Sequence, residues 1–358
     1  MKKMKEPFLR ISKRTELPRN KIWVLRLFSI LLAIVAGGIF IACIGHNPIK
    51  VYSTIISGVF KNKISLQLTV RTMIPLLITA LGLTMAFKMQ FWNIGGEGQI
   101  IMGAVFASYF ALYHNTLPHW LLIIIMLLAG IIGGGLWGLI PTVFKCKFNT
   151  NETLFTLMLN YIALNVIVFL RDGPWKDPAS SGFPKIARFT ENAQLDKILG
   201  VQMGWIIALI LVVFVFIYLK YTKRGYEINV VGESKATAIY AGINVNKVTI
   251  LTMFISGGIC GLAGAIQATG SDMTLAESVA GGVGFTAIIV SWLAQLNAFG
   301  ILIVSFLFSM LEKGSSVMQS TYGISTYSTD VLQGIILFFV LGCEFFVRYK
   351  FVFKGGVK

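Results

Sequence analysis

Ten stretches of the chain, at about 23–45, 67–87, 97–113, 119–144, 152–170, 202–219, 248–269, 281–296, 298–312 and 329–347, are apolar over nearly their whole length. A helix of about 20 such residues matches the hydrocarbon core of a bilayer, where backbone polar groups must be paired within the protein. The expected fold is therefore an all-α membrane protein of about ten transmembrane helices. Composition agrees: of 358 residues, 56% are hydrophobic and 13% charged, roughly half the charged share of an ordinary globular domain. The first run is longer than the apolar core of a cleavable signal and is expected to stay in the mature chain.

The net charge of +16 lies in short segments between apolar runs. There is no basic stripe with interleaved aromatics and no recognisable binding module, so nucleic acid is not an expected partner. With the N-terminus inside, 21 of the 31 lysines and arginines fall in 1–26, 88, 145–147, 220–247 and 348–358. That bias obeys the positive-inside rule and, with ten spans, places both termini in the cytoplasm. The expected layout is a basic tail (1–22), a polytopic membrane domain (23–347) and a second basic tail (348–358). Within the domain, 220–247 forms a cytoplasmic loop and 171–200 an outer one.

Chemistry within the chain is sparse. Cys43, Cys146, Cys260 and Cys343 stand apart, and His46, His114 and His119 lie near span ends, so neither a metal site nor a disulfide framework is expected. No phosphate-binding GxxxxGK[ST] loop, G-x-S-x-G elbow or H-E-x-x-H motif occurs, so a non-catalytic chain without a bound cofactor is expected. An ion-coupled carrier is the alternative; such carriers place charges deep within spans, and here Glu97 is the main example. Arg71, Glu152 and Asp330 lie nearer span ends, where the two carboxylates, beside capping residues, fit helix starts.

Glycine carries the remaining information. "LAGIIGGGLWG" (128–138) and "SGGICGLAGA" (256–265) have small-xxx-small spacing suited to close helix crossing. "NIGGEGQ" (93–99) and "SVAGGVGFTA" (278–287) are different: each is a glycine cluster at the mouth of an apolar run, one in each half. Paired interruptions of this kind point to a translocation site, because opened backbone is tolerated at membrane depth only against protein or a water-filled cavity. Two packing corners without ligand contact would give the same pattern. In the inner loop, "ESKATAIYAG" (233–242) reads as a short helix capped by Ser234 and closed by Gly242, suited to a partner's groove or to a connector on the membrane surface.

"FWNIGGEGQIIMGA" resembles the "FNIGGEGQ" signature in permease subunits of ABC transporters for nucleosides and related simple sugars, within the larger family that also serves ribose and branched-chain amino acids. "NTNETLFTLMLNYIA" (149–163), "VVGESKATAIYAGINVNKV" (230–248) with "ISGGICGLAGA" (255–265), and "GGVGFTAIIVSWLAQLNAFGI" (281–301) resemble further family segments in the same order. The usual Asn-Pro appears as Asn297-Ala298, and the alanine pair of the inner loop as Ala236-Thr237-Ala238. The resemblance implies a non-catalytic importer permease in a bacterial cytoplasmic membrane. Its partners would be a second homologous permease, a cytoplasmic ATPase holding the ATP and Mg²⁺, and an outer solute-binding lipoprotein.

The resemblance also implies roles. Asn93, Gly95, Gly96, Glu97, Gly98, Gln99, Asn160, Gly282 and Gly284 are expected on the solute pathway. Asn165 projects about 140° from Asn160, so both cannot face one narrow pore equally, and Asn160 is preferred because it lies within the family-like motif. Glu233, Ser234, Ala236, Ala238, Tyr240, Ala241 and Gly242 are expected to couple to the ATPase. A purine nucleoside is the first choice of solute, followed by pyrimidine nucleosides and simple sugars. Glu97 is expected either to touch the solute or to brace the broken helix.

Overall fold

A computed structural model describes residues 9–13, 18–180, 182–325 and 327–353. Lys2, Lys3, Lys5, Arg14, Lys354 and Lys358 of the basic tails lie outside the described residues. The chain forms two compact units, Phe60–Met310 and a second built from Met1–Val59 with Leu311–Lys358.

The larger unit holds α3 (Lys63–Lys88), α4 (Gly96–Tyr113), α5 (His119–Phe148), α6 (Glu152–Asp172), α7 (Gly204–Tyr221), α8 (Lys223–Glu233), α9 (Lys235–Tyr240), α10 (Val245–Ile266) and α11 (Val283–Leu293). The smaller holds α1 (Arg19–Cys43), α2 (Pro48–Phe60 to its last residue) and α13 (Tyr327–Arg348), while α12 (Ala298–Tyr322) contributes to both. Each of the ten apolar runs overlaps one helix. Among the described residues, α3, α5, α6, α7, α12 and α10 with its extension to Asp272 are long and apolar enough to cross a membrane; α1 and α2, bent by 111°, form a further candidate pair. The helices opening on the glycine clusters, α4 and α11, are not in that set.

The core of the larger unit is built on α3 and α10. Every residue of α3 from Met73 to Phe87 is buried, as is nearly all of α10 from Ser256 to Ile266. Both carry the small and hydroxyl residues that allow close helix packing, such as Gly82, Thr79, Gly257 and Gly261, and sit inside, while the more apolar α5, α6 and α7 present Leu128, Ile132, Ile162, Ile210 and Phe214 outward. The glycine stripes are the crossing points. A Cβ at Gly134 would strike the Gly257 carbonyl, one at Gly261 the Gly130 carbonyl, and one at Gly103 the backbone of Gly261. Three backbones thus meet where no side chain could stand.

In the smaller unit, Ile41, Val51, Ile55, Met318, Ile324 and Leu332 form a separate core. The α1–α2 corner turns at Gly45 (φ +90), and Asn47 Oδ1 caps α2 by accepting from the N–H groups of Ile49 and Lys50. Strand β1 (Leu9–Lys13) pairs antiparallel with β4 (Tyr349–Phe353), bringing the two ends of the chain together.

Candidate functional site

The turn after α3 folds onto itself through amides. Asn93 Oδ1 accepts from the Gly95 N–H at 3.0 Å and from Gln99 Nε2 at 3.2 Å, while Asn93 Nδ2 donates to Gln99 Oε1 at 3.1 Å. Asn160 reaches in from α6: its Oδ1 accepts from the Gly98 N–H at 2.9 Å and its Nδ2 donates to the Ile94 carbonyl at 3.0 Å. One turn earlier, Thr156 Oγ1 accepts from the Ile94 N–H at 3.2 Å. Side chains thereby supply the partners that a broken helix denies its own backbone.

Glu97 joins this turn to the second glycine cluster. Its Oε1 accepts from the Gly282 N–H and its Oε2 from the Gly284 N–H, both at 2.7 Å, and the residue is 6% exposed. A carboxylate from α4 thus serves the N-terminus of α11, where it meets two free donors and the positive end of the helix dipole. Each glycine has its own reason. Gly282 holds φ +81, a conformation other residues rarely adopt, and a Cβ at Gly284 would strike the Glu97 backbone N–H. At Gly98 a Cβ would lie 2.9 Å from Asn160 Oδ1 and 3.0 Å from Trp137 Nε1, an indole donor that is buried and without a partner. Gly96 faces only the side chain of Leu83. Close by, the rings of Trp92 and Trp292 stack with centroids 5.5 Å apart.

Of the residues named from sequence, Asn93, Glu97, Gln99 and Asn160 therefore converge through hydrogen bonds, with Gly95, Gly98, Gly282 and Gly284 as their backbone partners or neighbours. Asn165 is exposed and donates to the Tyr161 carbonyl. Thr156 was missed, although it stands four residues before Asn160, on the same face of α6.

At the end of the bundle carrying Lys88 and Lys145, the inner loop forms two helices. Thr222 caps α8, and Gly232 passes so near the Lys88 carbonyl that a Cβ would strike it. The first of these helices was not anticipated. The second, α9, is capped by Ser234, whose Oγ accepts from the Thr237 N–H at 3.2 Å, and closed by Gly242 at φ +75. Ala238 is its buried anchor, while Ile239 and Tyr240 are 66% and 96% exposed. Glu233, Ala236, Ala241 and Gly242 are exposed as well. A cavity of about 240 Å³ opens beside α9, between Phe91, Lys145, Glu152 and Thr249; Lys145 and Glu152 pair across 2.8 Å.

The described residues of 173–202 lie at the opposite end and hold, among them, a 3₁₀ turn, Glu191–Ala193, and a small hairpin, β2 (Lys197–Ile198) with β3 (Val201–Gln202). They are tied down by N–H donors from Phe189 to the Met273 carbonyl and from Leu195 to the Thr269 carbonyl.

Residues 65–341 match the family of branched-chain amino acid transport system permease components. The chain belongs to this permease family. Individual relatives include the glucose ABC transporter permease protein TsgB13 of Haloferax volcanii, 25% identical over 96% of this chain and 93% of the relative. The guanosine ABC transporter permease protein NupP of Bacillus subtilis is 28% identical over 88% and 91%. The nucleoside ABC transporter permease protein NupB of Lactococcus lactis subsp. cremoris is 29% identical over 88% and 89%. This permease is thus a multi-pass membrane protein, and family membership implies an ATPase and a substrate-binding protein as its partners.

Proposed function

We propose that this permease forms the membrane pathway of an ATP-driven importer for a nucleoside, a purine nucleoside first. The observation that carries the reading is the Glu97 clasp, which joins glycine-broken segments from the two halves of the chain in a protein whose relatives include guanosine and nucleoside permeases. A pathway with few charges, walled by amide, hydroxyl and backbone groups, suits an uncharged, hydroxyl-rich solute. In this reading the clasp and the Asn93–Gln99–Asn160 network shape the pathway wall.

All ten apolar helices cross the bacterial cytoplasmic membrane, with 1–22 and 348–358 as cytoplasmic tails. A second, homologous permease completes the pathway. The exposed Ile239–Tyr240 tip of α9, with Glu233, Ser234, Ala236, Ala241 and Gly242 around it and Ala238 anchoring it, enters a groove of the ATPase. Nucleotide and Mg²⁺ stay on that partner, and this chain holds no cofactor. Residues 171–200 receive the solute-binding lipoprotein. A simple sugar is the second reading, supported by the coverage of the glucose permease relative.

Proteoliposomes holding the complete transporter test this reading. ATP-dependent uptake of labelled guanosine is expected, and uptake of glucose alone would favour the second reading. Uptake by this chain without an ATPase, driven by an ion gradient, would overturn both.

A further inference from the structure

Beyond Ile266, α10 does not stop but widens into a π-turn, Gln267–Asp272, ended by Met273 at φ +55. The widening has a side-chain consequence. In an α-helix, residues five apart project about 140° from each other, whereas one π-turn brings them nearly into line. Here Gln267 Nε2 donates to Asp272 Oδ1 at 3.0 Å.

A second pair faces the same turn. Arg71, about two turns into α3, donates through Nε to Ser271 Oγ at 3.0 Å and through a terminal nitrogen to the Ser271 carbonyl. Ser271 Oγ in turn donates to Gln202 Oε1 at 3.0 Å. Gln202 is 2% exposed, and it fits only because residue 270 is glycine, since a Cβ there would strike its side-chain oxygen.

Packing alone does not account for this cluster. Gln202 Nε2 and Gln267 Oε1 are both buried and both lack a partner. Leaving such an atom unpaired costs about 1–3 kcal/mol, and an apolar side chain of the same shape would avoid the cost. Asp272 also keeps its second carboxylate oxygen for a further donor. The free groups are thus an amide N–H₂, an amide oxygen and a carboxylate oxygen, next to a guanidinium already committed to Ser271. Polar and ionisable groups within membrane-spanning segments almost always face the bundle interior or a water-filled cavity, and they often mark solute or ion pathways. The segment 171–202, fastened over Thr269 and Met273, lies against this end of the bundle.

We propose that Gln202, Gln267 and Asp272, held around the π-turn by Arg71 and Ser271, bind the hydroxyl groups of an uncharged polyol solute at the end of the pathway where residues 171–202 lie. The solute class is the ribose of a nucleoside or a simple sugar ring, so the inference rests on the importer reading and adds residues to it. A vicinal diol offers two donors and several lone pairs, which complement a carboxylate, an amide oxygen and an amide N–H₂. Arg71 and Ser271 are positioning residues.

The test uses the complete transporter in proteoliposomes, with its binding protein saturated so that delivery does not limit the rate. Asp272→Asn, Gln202→Met and Gln267→Met are each expected to slow guanosine import at least about tenfold, a loss of about 1.4 kcal/mol or more, while the ATPase still co-purifies. Because these variants could also act through folding, a second measurement uses Gln267→Cys, with maleimide labelling of residue 267 read by mass spectrometry. Guanosine, or ribose for a sugar carrier, is expected to slow that labelling several-fold without binding protein present. Import at the parental rate in all three variants, or labelling unaffected by both solutes, overturns the assignment while leaving the importer reading intact. If the unaltered transporter imports neither guanosine nor any sugar, the importer reading fails and this inference fails with it.

Discussion

Glu97 on α4 and Gly284 on α11 are bound by a 2.7 Å hydrogen bond from the Gly284 N–H to Glu97 Oε2, and the same carboxylate accepts from Gly282. One side chain therefore fixes where the second broken helix begins. A solute that took either oxygen would have to displace a backbone donor. The geometry thus makes Glu97 a brace first.

Glu97→Gln tests the brace. The amide keeps one acceptor oxygen but turns an N–H₂ donor toward a helix N-terminus that already offers only donors. The lost charge-assisted bond and the unpaired N–H are each worth about 1–3 kcal/mol. A lower unfolding temperature in detergent, together with reduced transport, is the expected result. Reduced transport with unchanged thermal stability would instead make Glu97 a solute contact.

The sequence made the break visible because a carboxylate and three glycines stand out in an apolar run. It did not name the partner of Glu97, since a glycine N–H has no side-chain signature and the two residues lie 185 positions apart. Asn160 stands out in its motif as an amide within an apolar span, whereas Thr156 in the same motif has no such signature, because a threonine in a helix commonly bonds its own backbone four residues back. Helix α2 falls outside the ten apolar runs, because Pro48–Phe60 is only 13 residues long and carries Lys50. The π-turn was not legible, because the polar run Gln267–Asp272 after apolar α10 marks a helix end in composition but says nothing of a changed hydrogen-bond register.

The crossing of α4, α5 and α10 predicts a sharp contrast among glycines. Gly261→Ala places a methyl against the backbone of Gly130 and Gly134, with no flexible side chain to yield. Overpacking of this kind costs about 1–3 kcal/mol or more. Gly334→Ala, with nothing within 4 Å of its Cβ, is the control. Fluorescence-detected size-exclusion profiles should show loss of folded protein for the first and a parental profile for the second.

The α9 helix separates docking from folding. Tyr240 is 96% exposed, so Tyr240→Ala should change stability by no more than about 0.5 kcal/mol. The same change should weaken co-purification of the ATPase, as truncating an aromatic anchor does at interfaces. Ser234→Ala should act in the other direction, removing a cap worth about 1 kcal/mol and loosening the helix itself. Equal ATPase recovery from Tyr240→Ala and the parent would remove α9 from the docking surface.

The clasp between the two glycine clusters can be measured by a double-mutant cycle. Gly282→Ala has open space for its methyl group, so its cost comes from backbone conformation, about 1–2 kcal/mol for a non-glycine residue held at positive φ. If the chain relaxes to relieve that strain, the Gly282 N–H turns away from Glu97 Oε1 and the brace is already half lost. Glu97→Gln added to Gly282→Ala should then cost less than it does in the parent. A coupling energy above about 0.5 kcal/mol is the expected outcome for groups in direct contact. Strict additivity of the two unfolding shifts would mean that α11 keeps its start without the carboxylate, and the clasp would no longer explain why the glycine clusters occur as a pair.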